Sequence, residues 1–91
     1  MYKCLRITLV GEPKQGFLQV IQKHARKNAL EGIAQMVGEE GVKIIVCGNK
    51  EYIDDFVDLL HKESVKHNID DIEIEPFLKD KDYRGVFRVI E

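Results

Sequence analysis

The chain has 91 residues, 44% of them hydrophobic and 33% charged, with a formal net charge of −2. That length suits one domain around a single core, and the mildly acidic balance argues against general affinity for nucleic acid. No apolar run approaches the roughly 18 residues of a membrane span, and the opening MYKCLRITLVG reads as a strand rather than a secretory leader, which points to the cytoplasm.

Residues 4–10 alternate, with Leu5, Ile7 and Leu9 on one side and Arg6 and Thr8 on the other. A period of two predicts a half-buried strand. The loop from Gly11 to Gly16 follows. A helix is expected over 17–28, because Phe17, Val20, Ile21, His24, Ala25 and Asn28 recur at helical spacing. On that stripe His24 reads as a partly buried, hydrogen-bonded histidine rather than a catalyst.

A second strand is expected over 32–37 and a third over 42–47, joined by Gly38-Glu39-Glu40-Gly41 as a hairpin connection. Gly48-Asn49 is expected to break the third strand. A second helix over 51–65 would bury Ile53, Phe56, Val57 and Leu60, with Glu51, Asp54, Asp55 and Asp58 toward water. Acidic residues suit the start of a helix, where the dipole is positive. Residues 68–71 read as a connection and 72–75 as a fourth strand, with Pro76 marking its end or an edge position. Residues 79–84 read as a charged turn. The last strand covers 85–90, with Phe87 and Val89 on one side. Val20, Ile21, Ile53, Phe56, Val57 and Leu60 are the expected helix-to-sheet core.

Chemistry-bearing residues are few. Cys4 and Cys47 sit in separate strands with no CxxC pattern, so packed, reduced thiols are expected. His24, His61 and His67 are scattered. No metal site and no cofactor are implied. One stretch stands out, the LVGEPKQGFL of residues 9–18. It carries a strand into a glycine-bearing loop and then a helix N-terminus, where unpaired N–H groups and the dipole favour an anion. Residues 1–30 also hold six Lys or Arg against Glu12 alone. Gly11, Lys14, Gln15, Gly16 and Phe17 are the candidate anion-binding residues, with a small anion such as phosphate as ligand.

The order of elements is β-α-β-β-α-β-β. It predicts an α+β, ferredoxin-like two-layer sandwich: a βαββαβ core plus a C-terminal strand, in an antiparallel-dominated sheet with both helices on one face. The RNA recognition motif shares this core, but its use needs aromatic residues on the central strands. LRITLV and VKIIVC have none. A metal-carrier reading would need a CxxC where EPKQ stands.

Along its whole length the chain resembles the acylphosphatases, small enzymes that hydrolyse the carboxyl–phosphate anhydride. The resemblance is carried by Arg6 to Gly11, Gly16-Phe17, Ala25, Ala29 to Ile33, the Gly41 hairpin, Val46 to Gly48 and Phe87-Arg88-Val89. In that family an Arg directly follows the Gly-Phe and binds phosphate with loop amides, and an Asn on the second strand positions the attacking water. The resemblance places Leu18 and Met36 at those positions. It also implies a loop one residue short, with four residues between Gly11 and Gly16, one of them Pro13, which has no N–H to give. The implied function is an acylphosphatase-like binding or interaction module without hydrolytic activity, a pseudoenzyme with no catalytic residues and a partner the sequence leaves open. The alternative is a weak or altered acylphosphatase with Lys14 as substitute cation.

Overall fold

The computed structural model describes residues 1–78 and 83–90. Its elements are β1 (Tyr2–Gly11), α1 (Phe17–Lys27), β2 (Glu31–Met36), β3 (Gly41–Asn49), α2 (Lys50–Lys66), β4 (Ile69–Pro76) and β5 (Phe87–Ile90). The strands form one mixed sheet in the order β4-β1-β3-β2-β5. β1 pairs antiparallel with β3 and β4, β2 pairs antiparallel with β3, and β2 pairs parallel with β5.

Alternation sorts the side chains between two faces. Ile7 pairs with Ile44 and Ile74, and Leu9 with Val42 and Ile72. Ile7, Leu9, Val42 and Ile44, with Ile72 packed against them, meet Phe17, Leu18, Ile21 and Ala25 of α1 and Ile53, Phe56 and Leu60 of α2 in one core, while Ile74 is 39% exposed. Both helices therefore cover the same face, as the pattern of elements predicts. Phe87 of β5 closes the far side, its ring 5.9 Å from that of Phe56. His24 is half-buried and 3.2 Å from the Asn28 amide, as expected. Across the top of α2, Asp54 receives the Lys50 ammonium at 2.8 Å and that of Lys3 at 3.3 Å. The hydrogen bond from Lys50 holds the Asp54 carboxyl below its ordinary value.

Several local expectations are corrected. The buried stripe of α1 includes Leu18, 6% exposed, while Val20 is 36% exposed. α1 packs on β5, β2 and α2, which turns its Leu18 flank inward and its Val20 flank outward. Val57 is half-buried for a similar reason, since Ile53, Phe56 and Leu60 already fill the contact. Gly48-Asn49 does not break β3. The strand runs through both, and Asn49 caps α2 at once, its side-chain oxygen accepting from the Glu51 N–H at 3.4 Å. Nor are residues 68–71 a connection. Asn68 turns the chain in a single left-handed step, φ 62°, and Ile69 already pairs with Gly11. Of the charged turn expected over 79–84, residues 79–82 lie outside the described residues.

The cysteines also differ from expectation. Cys4 and Cys47 stand directly opposite in the β1–β3 register, with Cα atoms 4.1 Å apart, and are joined by a disulfide. Neither is a free thiol. They lie on the face away from the helices in a small second cluster with Ile45, against which Ile33, Phe77 and Tyr83 pack.

Candidate functional site

The loop between β1 and α1 is shaped by its two glycines. Gly11, at φ 138°, lies so close to the start of β4 that a Cβ there would stand 2.7 Å from the Asn68 carbonyl oxygen. Its N–H donates to the Glu40 carbonyl at 2.8 Å. Gly16 is the N-cap of α1 in the left-handed conformation, φ 95°, and no side chain caps the helix. Between them the chain is tied down by backbone bonds. The Lys14 N–H donates to the His67 carbonyl at 3.3 Å, and the Phe17 N–H to the Lys14 carbonyl at 3.2 Å. The Phe17 and His67 rings pack 5.2 Å apart. The loop is thus closed against the C-terminal end of α2.

This leaves the N–H groups of Gln15, Gly16 and Leu18 without an acceptor among the described residues. They sit at the positive end of the α1 dipole. A cleft of about 540 Å³ opens here, lined by Pro13, Lys14, Gln15, Gly16, Phe17 and Leu18, with Met36 from the end of β2. Lys14 is exposed, with no ion-pair partner among the described residues. Leu18 and Met36 both reach into the core as well as the cleft. Gln35 points to the other face, as alternation requires.

The structure therefore brings together four of the five candidate residues: Lys14, Gln15, Gly16 and Phe17. Gly11 stands apart, its N–H engaged and its role the close approach to Asn68. His67 is the residue that sequence reasoning passed over. Its contribution comes from a backbone carbonyl and a packed ring, and neither leaves a residue-type signal. Chemically the cleft offers backbone donors, a dipole and one lysine. Among the described residues no carboxylate–histidine pair lines the cleft, the nearby His67 and Glu63, 3.9 Å apart, lying behind the loop, and no group of His, Cys, Asp and Glu is arranged to hold a metal.

The acylphosphatase family model matches residues 14–89. The chain belongs to the acylphosphatase family. Acylphosphatase from Bacillus subtilis is 22% identical, superposes with a TM-score of 0.84 and is matched over 100% of both chains. That from Coxiella burnetii is 21% identical with a TM-score of 0.84, over 98% of this chain and 93% of the other. HypF of T. kodakarensis is 26% identical with a TM-score of 0.79, and this chain spans 12% of it. No curated protein sequence matches the chain. The neighbours support the ferredoxin-like fold, and the family match extends through the cleft from Lys14 onward.

Proposed function

We propose that this acylphosphatase-family domain binds phosphate or a phosphorylated ligand at the α1 cleft without hydrolysing acyl phosphates. The observation that carries the reading is the pair of apolar side chains, Leu18 and Met36, lining the cleft beside backbone donors that have no acceptor among the described residues. Acyl phosphate hydrolysis needs charge stabilisation on the phosphoryl oxygens and an oriented water. An Arg fork supplies the first and an Asn amide can supply the second. Leu18 and Met36 supply neither, and loss of one preorganised donor alone can remove roughly 3–4 kcal/mol of transition-state stabilisation. Anion binding asks less, since helix N-terminal N–H groups hold phosphate whatever the side chains are. A full-length HypF structure, 23% identical with a TM-score of 0.79 and spanned by this chain over 12% of its length, is described in a phosphate- and nucleotide-bound form, which supports phosphate as the class of ligand.

The test has two readouts on one sample. Titration with inorganic phosphate, followed by amide NMR, is expected to shift Gln15, Gly16 and Leu18. Hydrolysis of acetyl phosphate is expected to be negligible beside that of the Bacillus subtilis enzyme. A rate within about tenfold of that enzyme would refute the inactive reading. Loss of that rate in Lys14→Ala would then assign the chemistry to a site rebuilt around Lys14. Adding Leu18→Arg and Met36→Asn probes the reverse, and the short loop with Pro13 predicts little recovery, since catalysis is sensitive to displacements of about 1 Å.

A further inference from the structure

The face of the sheet turned away from the helices holds a second cleft. It has a volume of about 310 Å³ and is separate from the α1 cleft. Its floor is Ile33 of β2 and Ile45 of β3, neighbours in the β2–β3 register. Phe77 and Tyr83, on the connection from β4 to β5, pack against this floor and wall the cleft with two aromatic rings. Arg6, Gln35 and Lys43 complete it.

The charges around the cleft are not equivalent. Arg6 is engaged, with its guanidinium 2.9 Å from the Glu75 carboxylate and 6.0 Å from the centre of the Phe77 ring. Lys43 is exposed and has no ion-pair partner among the described residues. Gln35 stands directly opposite it in the β2–β3 register. Glu73 and Glu75 lie on the same face at the β4 edge, since they pair with Thr8 and Arg6. Arg88 pairs with Ile33 on the other side.

We propose that this cleft binds a small aromatic carboxylate. Within the lining, one ammonium without an ion-pair partner among the described residues and one amide match one monoanion, and Arg88 stands beyond Ile33, outside that lining. A phosphate dianion would be less well neutralised there, since Arg6 and Glu75 offset each other and Glu73 stands on the same face. Apolar residues below and aromatic rings beside the head group suit a flat, unsaturated body, because rings stack and cover its faces. A cleft of about 310 Å³ has room for a body of one or two rings.

The experiment is an amide NMR titration of the full chain with benzoate and with indole-3-carboxylate. Saturable shifts are expected at Ile33, Gln35, Lys43, Ile45 and Tyr83, with residues 13–19 little changed. Lys43→Met removes an exposed side chain, so the fold should persist. It is expected to raise the dissociation constant about fivefold or more. Tyr83→Leu is expected to weaken indole-3-carboxylate more than cyclohexanecarboxylate. Shifts confined to residues 13–19, an affinity unchanged in Lys43→Met, or equal binding of phenyl phosphate at the same amides would each overturn the proposal.

Discussion

Gln35 and Met36 are adjacent in sequence, yet one lines each of the two clefts. That separation follows from the period of two along a strand and is readable from sequence once the strand is recognised. What could not be read is where a glycine is compulsory. Gly32 has φ 143°, and a Cβ on it would run into the carbonyl oxygen of Ile45 on the neighbouring strand. Nothing in the stretch LEGIAQ announces that contact, because it depends on how closely β3 approaches. Gly32→Ala is therefore expected to destabilise the fold by about 2–4 kcal/mol, through backbone strain and a steric conflict that no side-chain rotation relieves. Chemical denaturation measures it. By contrast Gly16 has no atom within 4 Å of an added Cβ, so a change there acts through its positive φ alone.

The elements were legible in type and mostly in extent, since hydrophobic periodicity is set locally. The orientation of α1 was not. Phe17, Val20 and Ile21 fit a helical stripe as well as Phe17, Leu18 and Ile21 do, and only the position of β2 and β5 beneath decides between them. The two stripes make different predictions. Phe56→Ala, at a fully buried ring, is expected to cost about 3–5 kcal/mol. Leu18→Ala is expected to cost about 2–4 kcal/mol, reflecting its 6% exposure. Val20→Ala should stay below about 1 kcal/mol, the residue being 36% exposed. Equal losses at Leu18 and Val20 in urea melts would contradict the observed docking of α1. The junctions were misread for a shared reason. A Gly-Asn pair or an Asn-Ile-Asp-Asp run usually marks a loop, but here Asn49 is both the end of β3 and the cap of α2, and α2 passes to β4 through His67 and Asn68 alone.

At the scale of the molecule, the sandwich was predictable from the order of elements, while the register was not. Register is what sets Cys4 against Cys47. Two cysteines 43 residues apart in sequence gave no sign of it. A link across a loop of that length is expected to stabilise the fold by about 2–4 kcal/mol, mainly by restricting the unfolded chain. Comparing denaturation midpoints of the oxidised chain and of Cys4→Ala/Cys47→Ala tests this, and coincident midpoints would deny the disulfide any such role. The candidate anion loop shows the same division. Its glycines and its helix start were visible in sequence, whereas its closure on His67 required knowing that α2 ends beside it.

The strand order carries a consequence for time. Among the described strands only the β2–β3 hairpin joins neighbours in the chain. β1 must find β3 across α1 and β2, β4 must find β1 across most of the sequence, and β5 must find β2 across α2. Distant pairings are slow because the chain loses loop entropy before contacts reward it. With Cys4 and Cys47 joined, the central encounter of β1 with β3 is already made in the unfolded state. The oxidised chain should therefore refold faster than the reduced one, and what remains to be searched for is the arrival of the two edges.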